Sequence, residues 1–217
     1  MNRCALIVGL FIAASLPAAA QDRNFDLAEF ERIDISAGIV LDATVGTTQS
    51  VVVQSTDGDF SDFHISVKNR TLIVTREFNR LRWHQKKADY RVVVTAPKIT
   101  GIEASSGSTS TLAKIDTPTF YADLSSGSYV VIDGRSDDCS VDISSGANLA
   151  AHELTCVSAD VDVSSGGHGE VSVKQSIVAD ASSGGHMSIY GAPERVFIDK
   201  SSGGQIKIRP ASQASRH

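Results

Sequence analysis

Val161-Asp162-Val163-Ser164-Ser165-Gly166-Gly167-His168-Gly169-Glu170-Val171 is the stretch that decides the fold. Its centre, Ser-Ser-Gly, occurs six times, opening at Ser105, Ser125, Ser144, Ser164, Ser182 and Ser201, with spacings of 20, 19, 20, 18 and 19 residues. Self-similarity at such a period marks a solenoid, in which each repeat is one turn that cannot bury its own inner face. A feature present in every turn serves the architecture before it serves chemistry.

Aligning the turns on the first serine separates the side chains that point in from those that point out, because neighbours on a strand face opposite ways. Immediately before the triplet stand Ala104, Leu124, Ile143, Val163, Ala181 and Lys200; two residues earlier stand Ile102, Ala122, Val141, Val161, Ala179 and Ile198. A third column, four residues earlier than the first, reads Thr100, Phe120, Cys139, Ala159, Ile177 and Val196. Between the first two lies a column that is never apolar: Glu103, Asp123, Asp142, Asp162, Asp180, Asp199. Each turn therefore has one strand with an apolar inner face and a carboxylate on the outer face.

Beyond the glycine a second strand begins. Its inward positions read Ser110, Val130, Leu149, Gly169, Met187, Ile206 and then Leu112, Ile132, Ala151, Val171, Ile189, Ile208. The position preceding the first of these columns, Thr109, Tyr129, Asn148, His168, His186 and Gln205, is expected to face solvent. Ser-Ser-Gly is the corner between the two strands: glycine accepts positive φ, and serine hydroxyls are suited to bond backbone groups freed there. The expected fold is all-β, a single-stranded parallel β-helix with coils about 4.8 Å apart. A right-handed coil is favoured, because no strict six-residue pattern of the left-handed kind is present.

Upstream the pattern stays β but loses its regularity. Ile33-Asp34-Ile35-Ser36-Ala37-Gly38 matches the later Val-Asp-Ile-Ser-Ser-Gly units position for position and reads as a degenerate coil. Strands are expected at 39–45, 50–55, 65–67, 72–75 and 90–95, with a hairpin at Asn69-Arg70. The division is then a signal peptide over 1–20, a β-rich cap with first coils over 21–100, the regular helix over 101–210 and a disordered tail over 211–217. Arg3, the apolar run from Cys4 to Leu16 and Ala18-Ala19-Ala20 have the order of a secretory signal. Its removal leaves 197 residues and no other stretch able to span a bilayer, so a periplasmic or secreted protein is expected. Two cysteines remain, Cys139 and Cys156, 17 residues apart where direct stacking would need about 19, so a bridge is open but not implied.

These recurring Asp-x-Ser-Ser-Gly units, the β-rich segment before them and the signal peptide resemble the head GIN domain family of autotransporter-adhesin-like proteins. The resemblance runs from about Phe25 to Arg209 and implies a β-helical extracytoplasmic protein. The family often has Gly-Ser-Gly at its corners where this chain has Ser-Ser-Gly, and it offers no catalytic residue to carry over.

The full chain has a formal charge of −5, and that charge is polarised. Residues 101–183 hold twelve acids against Lys114, Arg135 and Lys174, whereas Arg76, Arg80, Arg82, Lys86 and Lys87 cluster around Trp83 with Glu77 as the single acid. That basic stretch is a candidate polyanion site for an acidic glycan or an anionic envelope surface, with Trp83 adding contact area. No nucleic-acid partner is expected. Asp123, Asp142, Asp162, Asp180 and Asp199 form a ladder in which Ca²⁺ would relieve like-charge repulsion, and His168 with His186 offers two imidazoles on consecutive coils for a metal; otherwise no cofactor is expected. The serines lack a Gly-x-Ser-x-Gly elbow, and a nucleophile repeated in every turn has no catalytic logic. The expectation is a non-enzymatic, adhesin-like binding module for a cell-surface or matrix glycan. The alternative is a polysaccharide lyase or hydrolase working on an exposed face.

Overall fold

The computed structural model of the protein describes residues 21–56, 58–77 and 89–210. These are all-β. The cap and first coil comprise β1 (Gln21–Asn24), β2 (Arg32–Ile35), β3 (Val40–Val45), β4 (Ser50–Ser55), β5 (Phe63–Lys68), β6 (Thr71–Arg76), β7 (Tyr90–Ala96) and β8 (Gly101–Ala104). Four long strands follow, β9 (Thr109–Leu124), β10 (Tyr129–Ile143), β11 (Asn148–Val163) and β12 (His168–Ala181), and then β13 (His186–Tyr190), β14 (Arg195–Lys200) and β15 (Gln205–Arg209). The result is a β-solenoid of about five turns.

Each long strand runs from one Ser-Ser-Gly to the next, and β9 to β12 stack in parallel register. The part of each coil just after the triplet stacks in a ladder continued by β3, β13 and β15; the part just before it continues through β2, β8 and β14. From β9 to β12 only the triplet interrupts a coil, whereas in the last coil residues 191–194 also separate β13 from β14. At the opposite edge the strands bend through register shifts instead, as between Val131 and Asp133.

The corner is a tight turn with both central residues at positive φ, Ser106 at 53° and Gly107 at 73°, closed by the Ser108 N–H donating to the Ser105 carbonyl at 3.1 Å. That is the pattern of a type I′ turn, used here as a corner between two parallel ladders and not as a hairpin. A Cβ at Gly107 would meet nothing within 4 Å, so backbone angle rather than space selects glycine. Corners also bond to each other: Gly107 donates its N–H to Ser126, Gly127 to Ser145, and so on to Gly184 and Ser202, at 3.1–3.2 Å. Backbone carbonyls therefore take the donors that serine side chains were expected to satisfy. Among the described residues, no triplet serine hydroxyl makes a hydrogen bond within the protein, which corrects that expectation.

One position past the corner glycine, the side chain shrinks along the chain: Ser108, Ser128, Ala147, Gly167, Gly185, Gly204. The first three are fully buried, and at Gly167 a Cβ would come within 2.9 Å of the Ile143 carbonyl oxygen. The inner corner thus closes toward the C-terminal end.

The inward columns form the core. Ile102, Ala122 and Val161 have no exposed surface and Val141 only 2%. Cys139 and Cys156 meet inside it as a disulfide between β10 and β11, with Cα atoms 6.0 Å apart, so the pairing that spacing left open is made. The columns fail at the last turn. Ile198, expected inside, is 37% exposed, and Val196 and Ile208 are likewise exposed. Among the described residues β14 pairs only with β12 and β15 only with β13, and no further coil of them covers these inner faces.

The first coil lies where its sequence match placed it: Ile33 pairs with Ile102, Asp34 with Glu103 and Ile35 with Ala104, and Ala37 and Gly38 repeat the corner angles. β6 and β7 extend the two ladders in parallel, β5 and β4 then run antiparallel to them, and β1, antiparallel to β4, returns to the coil direction. The β5–β6 hairpin turns at Asn69 and Arg70, both at positive φ, as that dipeptide suggested. Phe25, Phe60, Phe63 and Tyr90 plug this end, with the Phe63 and Tyr90 ring centroids 4.8 Å apart.

Candidate functional site

Two outer faces result from this stacking, and they differ in kind. On the face preceding the corners, Asp34, Glu103, Asp123, Asp142, Asp162, Asp180 and Asp199 stand in register, one carboxylate per coil. Asp34 lengthens the predicted ladder by one. Burial and then the neighbouring carboxylates hold Asp142 and Asp162 above the ordinary carboxylate range. Tyr121 is pushed up to about 12, by burial first and then by the Asp123 carboxylate that its hydroxyl donates to at 3.1 Å.

The face following the corners carries a different column. Thr109, Tyr129, Asn148, His168, His186 and Gln205 lie side by side on successive strands. From Tyr129 onward every member has a planar polar or aromatic end. Tyr129 is 46% exposed, and the rings of His168 and His186 stack with centroids 4.9 Å apart and planes 2° from parallel. A parallel column two residues on contributes Glu170, Ser188 and Lys207. Together they border an open groove of about 520 Å³ that also reaches His152 and Arg209.

His152 owes its place to unequal coil lengths. The repeat opening at Ser144 has 20 residues and the next, opening at Ser164, has 18. Ala151 pairs with Val171 but Thr155 with Ser172, so His152, Glu153 and Leu154 have no partner on β12; Glu153 and Leu154 stay paired with Asp133 and Gly134 of β10, and His152 is left at the bulge. A bulge re-aims a side chain. Here it brings His152 Nδ1 to 3.2 Å from Glu170 Oε2, while the Tyr190 hydroxyl donates to Glu170 Oε1 at 3.3 Å. Burial first, and then the Glu170 carboxylate, raise the Tyr190 phenol above its ordinary range. Glu170 thus lies at the groove wall between the Tyr190 hydroxyl, which bonds it, and His152 Nδ1, which is close but makes no hydrogen bond. This cluster was missed from the sequence, although the 20-then-18 spacing announces a bulge.

Of the sequence-predicted metal ligands, His168 and His186 are neighbours whose rings stack with centroids 4.9 Å apart. Asp123, Asp142, Asp162, Asp180 and Asp199 follow one line along the solenoid. Among the described residues, no three His, Cys, Asp or Glu side chains are grouped to hold a metal ion. Of the basic stretch, Arg76 lies 4.8 Å over the Tyr90 ring. Arg80, Arg82, Trp83, Lys86 and Lys87 lie outside the described residues, as do the signal segment and residues 211–217. Among the described residues, no helix is long and apolar enough to cross a membrane.

Residues 29–193 match the family model described as putative auto-transporter adhesin, head GIN domain. The chain belongs to that family. Among solved structures, a putative adhesin from Bacteroides fragilis superposes with a TM-score of 0.68 at 16% identity, covering 88% of this chain and 97% of its own. A putative adhesin from Parabacteroides distasonis gives 0.52 at 14% identity, with 88% and 98% covered. A putative lipid binding protein from the same organism gives 0.50 at 12% identity, with 88% and 97% covered. At these identities the head GIN likeness to solved structures is one of fold. No curated protein matches the chain.

Proposed function

We propose that this head GIN protein is an extracytoplasmic, non-enzymatic binding module that takes an extended glycan along the face following its corners. The observation that carries the reading is the row Tyr129, Asn148, His168, His186, Gln205. Coils repeat about every 4.8 Å, close to the length of one sugar unit, so successive side chains meet successive rings of a chain. The exposed Tyr129 ring gives apolar contact area to a sugar, while the ring edges of His168 and His186, the amides of Asn148 and Gln205 and the carboxylate of Glu170 bond hydroxyls. The adhesin description of the family supports a role at a surface, and the Cys139–Cys156 disulfide supports an oxidising compartment.

The test is a glycan array with the secreted chain, repeated with Tyr129→Ala and His168→Ala and paired with a cleavage assay on every glycan retained. Binding that falls in both variants, with the glycan recovered intact, is expected. No retained glycan, or binding indifferent to both substitutions, rejects the groove. A shortened glycan returns the protein to the lyase or hydrolase class.

A further inference from the structure

The exposed apolar end of the solenoid has a sequence property that points to its occupant. Glu194-Arg195-Val196-Phe197-Ile198-Asp199-Lys200 is complementary to itself when reversed. Turned antiparallel about Phe197, it sets Glu194 against Lys200, Arg195 against Asp199, Val196 against Ile198 and Phe197 against Phe197 of the other copy. Each opposition is of opposite charge or of two apolar groups, the pairings that stabilise neighbouring strands. We propose that β14 is the seam of a tail-to-tail homodimer, formed by antiparallel addition of one β14 to another across a two-fold axis at Phe197.

Three features of the end fit that seam. First, among the described residues β14 pairs with β12 alone, so no strand lies on its outer edge, where the Lys200 N–H donates to the Asp199 carboxylate at 2.8 Å and would exchange that bond for the seam. Second, the Ser201 N–H points inward to the Ala181 carbonyl at 3.0 Å; alternation along the strand then turns the N–H and C=O of Val196, Ile198 and Lys200 outward. In the proposed register Val196 faces Ile198 of the other copy, so the outward groups meet as a hydrogen-bonded pair, and Phe197 meets its mate in the closer unbonded position. Third, Phe197 is 64% exposed, and Val196 and Ile198 are exposed beside it, so the apolar surface to be covered lies on the seam.

The neighbouring edge strand supplies a contrast. β15 reads Gln-Ile-Lys-Ile-Arg, and reversal about Lys207 or about Ile208 sets cation against cation. Neither of these registers gives β15 the run of matched oppositions that β14 has, and an isologous contact needs one such patch. Such a dimer would carry two copies of the face bearing Tyr129 and His168, but the inference does not depend on what that face binds.

Sedimentation velocity of the secreted chain across a concentration series tests it. Wild type is expected to shift from monomer to dimer as concentration rises. Phe197→Lys, which sets two cations together on the axis, and Asp199→Arg, which faces Arg195 twice, should each weaken association at least about tenfold, since like charges at a contact cost several kcal/mol. Adding Arg195→Asp to Asp199→Arg reverses both charges and should restore the dimer. The three positions are exposed, so melting curves near wild type show that the variants fold. A wild-type monomer at every concentration overturns the proposal, as does a dimer unaffected by either single substitution. Failure of the double swap to restore association overturns the register. Dimers seen only after deletion of residues 211–217 would give the edge to that segment instead.

Discussion

The two ends of the solenoid are built from the same inward columns and meet different fates. At the N-terminal end, antiparallel β5 and β4, with β1 beyond β4, cover the first coils and four aromatic rings fill the opening, so Ile33, Ile35 and Leu41 have no exposed surface. At the C-terminal end the strand pattern continues faithfully through Val196, Ile198 and Ile208, and all three are exposed. An inward position on a strand is only an opportunity for burial. The neighbouring coil realises it, which is why solenoids need caps or partners at their ends.

The largest test of that comparison uses one residue type in one column. Ile102 and Ile198 both stand three residues before a Ser-Ser-Gly, but Ile102 is fully buried and Ile198 is 37% exposed. Ile102→Ala should cost about 2–5 kcal/mol in urea denaturation, the range for a buried isoleucine reduced to alanine. Ile198→Ala, measured at dilution where the chain is monomeric, should cost less than about 1 kcal/mol. Equal losses would show that position in the repeat, and not stacking, governs the core. At high concentration the gap should narrow if the β14 seam forms, because the seam covers Ile198.

Between the ends, the disulfide joins consecutive coils across a separation of 17 residues. Replacing both cysteines by alanine should lower stability by about 3 kcal/mol, the chain-entropy value for a loop of that size. Coils at the open end should exchange amide hydrogens sooner in this variant, with β5 to β7 less affected, since each coil in a stacked array depends on its neighbours. Uniform acceleration along the chain would show instead that the solenoid opens as one unit.

A smaller effect belongs to the cap itself. The Tyr90 hydroxyl lies 2.5 Å from Asp62 Oδ1 and 2.9 Å from the Asp59 carbonyl, and its ring is 2% exposed. Tyr90→Phe keeps the ring and removes the bonds, so a loss of about 1–2 kcal/mol is expected, read as a lower urea midpoint at unchanged slope. Tyr129→Phe, on the exposed row, should leave the midpoint where it is.

The body of the fold was legible because a repeat supplies its own alignment: each inward residue in coils 101–189 could be checked against its counterparts one period away. The Asn69-Arg70 hairpin was legible for a local reason, an asparagine that tolerates the turn conformation between two alternating runs, and Arg70 takes positive φ beside it. What escaped depends on differences between coils. Comparing neighbouring spacings would have exposed the bulge that carries His152, whereas the pattern averaged over turns hides it. The exposure of Ile198 escaped because nothing in a strand's own residues states whether another strand follows. The hydroxyls of the triplet serines were assigned to donors that the stacked corners already use, an error about competition between partners rather than about the turn. The groove row was seen as outward-facing, but its unity needed the register from Tyr129 through Gln205.

The smallest predicted effect concerns the acidic ladder, which runs unbroken from the closed end to the open one. Asp142 has Asp123 and Asp162 across from it and Asp160 nearby; Asp162 has Asp180 and Asp160. Like charges directly opposite each other on a sheet are destabilising, by roughly 0.2–1 kcal/mol per pair for exposed groups screened by solvent. Because burial and these neighbours raise both carboxyls above their unfolded value near 3.8, the folded state holds protons that the unfolded chain has released. Their contribution to stability is therefore fully present below about pH 4 and is lost as pH rises through the raised folded values. Asp142→Asn with Asp162→Asn should stabilise the protein at pH 7 and flatten this part of its stability profile between pH 4 and pH 7. Urea midpoints measured at those two pH values check it. A double variant less stable than wild type at pH 7 would mean that the carboxylates are engaged by a bound cation, because only a compensating charge makes their removal costly.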